Sequence, residues 1–407
     1  MGGKCPPKPL SAAVTGATLR LRMIYFDHNA TTPLLPAARQ AWLAAAEQYI
    51  GNPSSPHRVG ARAESALNAA RAQLADFLGC DPLDLVWTSG ATESNNLALH
   101  HFARRLAPRA EVWVSAIEHP CVLAAARHYF PRRHRLIPVT RAGVADLDWL
   151  RRELGIRPPG LVALMAANNE TGVLQPWGAA LELCRERQVP FLCDAAQWIG
   201  KLPAHGLGAC DWVSGCAHKF GGPKGVGFLK CPARGRVEPL LFGGQQEAGR
   251  RAGTENVASV LAMLAALTER ETALRNAGEK ERERRRAAFE KRLLAALPGA
   301  EIVGAGAARL WNTVSALMPE AGCQQRWVVK LDKAGFAVST GSACASGREE
   351  PSHVLAAMGY APGQTGRVLR FSSGWETTAA DWRALANALA KVRRDMRPAN
   401  RVRPEKR

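Results

Sequence analysis

From Met23 onward, short apolar runs alternate with helical stretches, and this alternation constrains the fold more than any other feature of the chain. The runs are 85–88, 112–115, 135–139, 161–166, 189–193, 212–214 and 225–229. Helical stretches separate most of them. Residues 61–79, for example, place Ala66, Leu67, Ala70, Leu74, Phe77 and Leu78 on one face before Gly79 stops the helix. Alternation at this rate predicts an α/β domain built on a mostly parallel sheet. Residues 256–295 read as one long helical region, and the charged run Glu279–Arg292 reads as its solvated face with i,i+4 pairs. From about residue 300 the elements shorten, which predicts a second, smaller domain. There is no internal repeat and no long linker.

Composition narrows the function. The chain has 407 residues, 47% hydrophobic and 22% charged, which is a globular composition. No run of about 18 apolar residues is present, so no transmembrane helix is expected. None of the ten cysteines forms a CxxC pair, which argues against a zinc ribbon or a thioredoxin motif and for a reduced, cytoplasmic compartment. The net charge of +19 invites a polyanionic partner, but only 12 of the 54 cations are lysine, and arginine is spread throughout. Nucleic acid is therefore not expected as the main partner. Residues 391–407 alone carry eight cations and two acids. Residues 1–22, with Pro6, Pro7 and Pro9 and no strong apolar core, read as a disordered extension or the product of a start codon placed too early.

Ligands of open α/β sheets bind beyond the carboxyl ends of the strands. After 85–88 comes SGATESNN (Ser89 to Asn96), small residues and hydroxyls that open a helix. This suits a phosphate cradle, although plain N-capping accounts for it equally well. After the next runs come AIEHP with His119, ANNETG (Ala167 to Gly172), DAAQ with Asp194 and Gln197, and CAHKFGGPKGVG (Cys216 to Gly227). Any one of these could be a turn or a cap; five together at one sheet edge point to a site. No lysine lies between Lys8 and Lys201, so Lys219, in a loop beside His218, stands out. A lysine held there can form a Schiff base, and Asp194 can pair with a pyridinium nitrogen. A phosphate cradle, an Asp and a Lys on successive strand ends meet the requirements of pyridoxal phosphate.

A second cluster lies near the C-terminus. VSTGSACASG, Val338 to Gly347, sets Cys344 among Gly, Ser and Ala, a composition for a mobile, exposed loop, and makes that thiol a candidate nucleophile. RVLRFSSG carries Arg370, either a bidentate partner for a substrate carboxylate or a strand-edge cation.

These stretches together resemble the cysteine desulfurases of the class-V aminotransferases, above all the long-loop group serving iron–sulfur assembly and nitrogenase maturation. The matching segments are YFDHNATTPL (25–34), GNPSSPH (51–57), TSGATESNNLA (88–98), SAIEHPCVL (115–123), ANNETG (167–172) and DAAQ (194–197). They continue with AHKFGGPKGVG (217–227), GRRAGTENV (249–257), and VSTGSACASG through PSHVLAAMG (338–359). The resemblance runs from Tyr25 to about residue 375.

It implies a fold type I transferase dependent on pyridoxal 5′-phosphate. A large cofactor-binding domain would span 23–265 and a smaller α+β domain 266–407, with the first residues able to pack on the smaller one. Lys219 would hold the cofactor's aldehyde carbon, Asp194 its ring nitrogen and Gln197 its phenolic oxygen. His119 would stack on the ring and move protons. Ala91, Thr92 and His218 would hold the phosphate, with Cys216 beside it and Thr254 reaching in from the partner of a homodimer. Asn169, beside the cofactor, and Arg370 would hold the carboxylate of L-cysteine. Cys344 would take the sulfur as a persulfide and pass it to an acceptor or scaffold protein. No intrinsic metal is implied, Cys344 serving at most as a transient ligand of a nascent cluster.

Three departures stand out. Cys216 replaces the usual Ser at the phosphate site, and a thiol is the weaker donor, so weaker cofactor binding is expected. Trp375 replaces the usual polar or basic residue and is expected to reshape the substrate mouth. The tail from Met396 lacks the usual scaffold-docking segment. The competing readings are a selenocysteine lyase or another class-V enzyme, and a catalytically idle basic binding protein; Cys344 argues against the first, and the intact Lys219, Asp194 and His119 against the second.

Overall fold

The computed structural model describes residues 23–233, 237–276, 278–320, 324–341 and 351–396. The extension 1–22, Cys344 with its loop at 342–350, and the tail beyond Met396 lie outside the described residues. The chain begins with β1 (Ile24–Tyr25), α1 (Pro36–Gln48), α2 (Arg58–Leu78), β2 (Leu85–Thr88), α3 (Ala91–Arg105), β3 (Val112–Ser115), α4 (Pro120–Tyr129) and β4 (His134–Ile137). It continues through α5 (Leu147–Ile156), β5 (Leu161–Ala163), α6 (Trp177–Glu186), β6 (Phe191–Asp194), β7 (Trp212–Cys216), β8 (Gly227–Lys230), α7 (Val257–Arg275) and α8 (Gly278–Ala296). The last elements are β9 (Glu301–Ile302), β10 (Thr313–Leu317), α9 (Gln324–Lys333), β11 (Phe336–Ala337), α10 (His353–Ala357), α11 (Pro362–Thr365), β12 (Val368–Ser372) and α12 (Ala379–Met396).

The main sheet has seven strands in the order β2-β8-β7-β6-β5-β3-β4. Neighbours pair in parallel except β8, which runs antiparallel to both β7 and β2. The exception follows from chain length: residues 217–226 are too few for a crossover, which needs a dozen or more. Both faces of the sheet are covered, as parallel sheets require. Alternate residues take opposite sides. Trp87, Phe191 and Cys193 pack under α2, α6 and α7, whereas Val86 and Leu192 pack under α3 and α4. The helix expected over 61–79 starts at Arg58 and ends where anticipated, with Gly79 left-handed at φ 77°.

The C-terminal part carries a three-stranded antiparallel sheet, β12-β10-β9. Phe289 and Leu293 of α8, Trp327 of α9, and Trp382 and Leu385 of α12 cover it. The first residues of the chain join this layer. β1 pairs in parallel with β11, and buried Phe26 lies 4.6 Å from the Trp382 ring. The single helical region expected over 256–295 is instead two helices: Asn276, at φ −85° and ψ 20°, ends α7, and α8 starts at Gly278. Its charged run does form local pairs, Glu281 with Arg284 and Arg285.

His28 lies at the seam between the two layers, 7% exposed. Gly374 makes room for it, since a Cβ there would collide with the ring. Burial pushes the imidazole down to about 4; the Lys201 and Arg270 charges act the same way, against an opposing effect of Glu376. Between pH 6.5 and 4 the unfolded chain therefore binds more protons at this site than the folded one. The stability His28 contributes as a neutral ring is fully present above pH 6.5 and is lost as pH falls toward 4. Urea unfolding across this interval should show His28→Gln losing about 3 kcal/mol less than the unaltered protein.

Candidate active site

β2, β3, β5, β6 and β7 end at the same edge of the sheet, and the segments after them line one cavity of about 570 Å³. At one end is the start of α3. Its N-cap, Gly90, has φ 152° and no side-chain cap. Ala91 donates its N–H toward the Cys216 thiol, and Thr92 lines the wall. His218 stands opposite, its Nδ1 3.2 Å from Thr31 Oγ1. Burial pushes this ring down to about 4, helped by Lys219, Lys224 and Lys201, so it is neutral near pH 7. Uncapped N–H groups, a hydroxyl and a neutral imidazole make an anion seat.

The floor is Asp194, 6% exposed at the end of β6. Its carboxylate accepts the Asn95 amide at 2.8 Å and the Ala196 N–H at 2.9 Å. Glu118 is buried nearby and accepts the Met165 N–H. Burial, then the Asp194 charge, push the Glu118 carboxyl well above the usual range. His119 caps α4, its Nδ1 accepting the Cys121 N–H at 3.2 Å. Burial lowers its pKa; Lys219 and His353 act in the same direction and Asp194 opposes them.

Lys219 sits on the β7–β8 connection and donates to the carbonyl oxygens of Asn29 and Ala30 at 2.7 and 2.9 Å. Lys201, only 3% exposed, lies behind it. Its Nζ donates to Asn29 Oδ1 at 3.1 Å and to Gln197 Oε1. Burial, then the like charge of Lys219, push the Lys201 amine well below its ordinary range. The Gln197 amide nitrogen in turn donates to the Asn29 carbonyl at 2.9 Å. Arg370 on β12 is buried behind Asn169. It donates to Asp27 at 2.7 Å, to the Asn169 carbonyl at 2.9 Å and to the Gly341 carbonyl at 3.3 Å.

The structure thus brings Ala91, Thr92, His119, Asn169, Asp194, Gln197, Cys216, His218 and Lys219 to one cavity. Arg370 meets it through Asn169, and Thr254 is exposed and lies outside it. Cys344 is outside the described residues. Trp375 does not line the cavity as expected. It is buried between Trp311 and the Arg270 and Arg282 guanidiniums, with Nε1 donating to Gly200. A large aromatic side chain gains more from that burial than from a wet mouth. The residues the sequence reading passed over are Asn29, Asn95, Cys121, Glu118 and Lys201. Only Lys201 left a signal, as the first lysine after a long gap.

The cavity fits pyridoxal phosphate in charge and shape. The anion seat lies at one end, a buried carboxylate on the floor, an imidazole on the wall and an amine at the side. No group of three or more potential metal ligands occurs among the described residues. Nor does any described helix have the length and apolarity to cross a membrane.

Asn29 makes four side-chain hydrogen bonds, accepting from Lys201 and Asn312 and donating to Asn169 and Thr313. Asn29→Ala would strand these buried partners. It should lower the unfolding free energy in urea by about 3 kcal/mol.

Comparison with known proteins identifies the family. The aminotransferase class-V family matches residues 24–385. A cysteine desulfurase of Klebsiella pneumoniae is 40% identical over 357 residues, covering 86% of this chain and 88% of that protein. One of Cereibacter sphaeroides is 37% identical over 379 residues, 91% of this chain and 96% of its own. Among solved structures, a NifS-like protein from Rickettsia africae superposes with a TM-score of 0.82 at 28% identity, covering 91% of this chain and 99% of that one. SspA, solved in complex with cysteine, superposes at 0.74 with 29% identity over 86% and 98%.

Proposed function

The chain belongs to the class-V aminotransferases and is one of their cysteine desulfurases, and on that premise we propose that it uses pyridoxal 5′-phosphate to move sulfur from L-cysteine to the Cys344 thiol, releasing L-alanine. The observation that carries this reading is the meeting of Asp194, His119, Lys219 and the uncapped start of α3 in one cavity.

In this reading Ala91, Thr92 and His218 hold the phosphate, Asp194 the ring nitrogen and Gln197 the phenolic oxygen. Lys219 would hold the aldehyde carbon in the resting enzyme. When bound, the cofactor supplies an electron sink that makes the substrate's α-proton acidic. Lys219, once released, takes that proton at Nζ. Asn169 and Arg370 orient the substrate carboxylate. His119 exchanges a proton at the cavity side of its ring. The Cys344 thiolate then attacks the substrate sulfur. A sulfur–sulfur bond forms, the carbon–sulfur bond breaks, and its electron pair stays with the β-carbon, which takes a proton to become the methyl of alanine, while Lys219 returns the α-proton. An external thiol, or an acceptor protein, takes the sulfur from the persulfide. Iron–sulfur assembly or thiolation in the cytoplasm is the fitting use. Nucleic acid is not the proposed main partner, and Cys344 would be at most a passing cluster ligand.

The working unit in this reading is a homodimer, with Thr254 completing the phosphate seat of the partner. Two features support it. Trp42, Ile50 and Phe242 are 42, 78 and 83% exposed, apolar area that a partner would cover. The segment leading to Thr254 is also braced: Glu247, buried at φ 50°, pairs with Arg71 at 2.9 Å and accepts the Trp87 N–H at 3.0 Å.

Incubation with L-cysteine and dithiothreitol should yield alanine and sulfide in equal amounts. Cys344→Ala should keep the cofactor's visible absorbance and make neither product; turnover at the unaltered rate would refute the persulfide role. Lys219→Ala should lose the absorbance of the lysine-bound cofactor. Loss of one hydrogen bond to a charged phosphate costs about 1.5 kcal/mol, so Thr254→Ala should weaken cofactor retention in dialysis roughly tenfold.

A further inference from the structure

The cavity contains a second thiol, Cys121, at the start of α4. Its backbone N–H lies 3.2 Å from His119 Nδ1, and its Sγ lies 3.1 Å from the same nitrogen. A backbone amide can only donate, so Nδ1 must present its lone pair. That leaves no hydrogen on Nδ1 to give the sulfur, so the hydrogen bond between them runs from the thiol, and Nδ1 accepts from two donors. The sulfur also accepts. Asn95, fully buried, sends one amide hydrogen to Asp194 Oδ2 at 2.8 Å and the other to Cys121 Sγ at 3.4 Å. The amide cannot be flipped, because its oxygen would then face the Asp194 carboxylate. The directions of the Asn95 bonds and of the bonds to Nδ1 are therefore set; the Thr92 hydroxyl also bonds the Cys121 sulfur.

We propose that Cys121 is a positioning residue: its backbone N–H and its thiol hydrogen both meet Nδ1 and together keep neutral His119 in the Nε2–H form, and its sulfur links the ring through Asn95 to Asp194. Burial, then the Asp194 charge, push the Cys121 thiol up to about 12, so it keeps its hydrogen at every working pH. The charged and titratable groups that bear on His119 are Asp194 from β6, Lys219 from the β7–β8 connection and His353 from α10. Asp194 favours the imidazolium; the other two oppose it. The Cys121 hydrogen bond adds to the opposition, because it is available only while Nδ1 is bare. Proton exchange with substrate is thereby confined to Nε2. This consequence rests on the role given to His119 above; the tautomer does not.

The test uses holoenzyme with 15N-labelled histidine, the His119 ring signals being identified by their loss in His119→Gln. The unaltered protein should show a bare Nδ1 and a protonated Nε2 above the His119 midpoint. Cys121→Ala, which keeps the backbone N–H but loses the thiol, should retain the Nε2–H form and raise that midpoint by about half a pH unit. Cys121→Ser, whose hydroxyl can still donate, should restore the original midpoint. A proton found on Nδ1, a Cys121→Ala midpoint that does not move, or a serine variant matching the alanine one would each overturn the proposal. The acid limb of alanine formation should follow the NMR midpoint. If the midpoint shifts in Cys121→Ala while this limb stays fixed, the positioning role of Cys121 stands and the proton-transfer role of His119 fails.

Discussion

Asn29 is the polar joint on which the rest of the molecule depends. It is 1% exposed and spends all four side-chain hydrogen-bonding positions on residues far away in sequence. Two of these, Asn312 and Thr313, belong to the C-terminal layer; Asn169 and Lys201 belong to the segments around the cavity. Its carbonyl accepts from both Lys219 and Gln197. A buried amide with every group satisfied is rigid, because any shift costs several hydrogen bonds at once. The placement of Lys219 and of the two sheets relative to each other is consequently one problem with one solution.

Charge is handled by the same economy of placement. Three basic side chains, Lys201, Lys219 and Arg370, converge at the cavity, with Lys219 on its wall. Of these, Arg370 has a paired carboxylate in Asp27. The nearby rings of His28, His119 and His218 are all shifted toward neutrality by burial. An interior arranged in this way keeps positive potential for incoming anions and avoids adding more of its own. A phosphate group and a substrate carboxylate are the anions that fit.

How much could be read beforehand depends on the range of each interaction. The strand ends were legible because apolar runs of three to six residues give way abruptly to polar segments. The antiparallel β8 was not separated from its parallel neighbours, since an apolar run carries no direction; only the short 217–226 connection does. Glycine at 79 marked a helix end correctly, whereas the break between α7 and α8 was hidden in a continuous helical composition. Asn95 and Cys121 could not be singled out. Their meaning comes from contacts with Asp194, 99 residues away from Asn95, and with His119 across one turn. Trp375 was misread for a related reason: its position after β12 suggested the cavity mouth, but its side chain turns toward Trp311 and Gly200.

β1 lies at the beginning of the described chain, yet it pairs with β11 and follows the layer built by β12. During synthesis at ~5–20 residues per second, the Asn29 amide waits roughly 15–60 s for Asn312, 283 residues later. The main sheet can collapse in that time, and the Asn29 segment can dock on it through Asn169, Lys201 and the backbone of His218 and Gly221. The cavity lining, residues 30–225, thus leaves the ribosome well before Arg370, which meets it through Asn169. The rigidity of the joint, by contrast, is a property of the finished chain, because Asn29 gains Asn312 and Thr313 last.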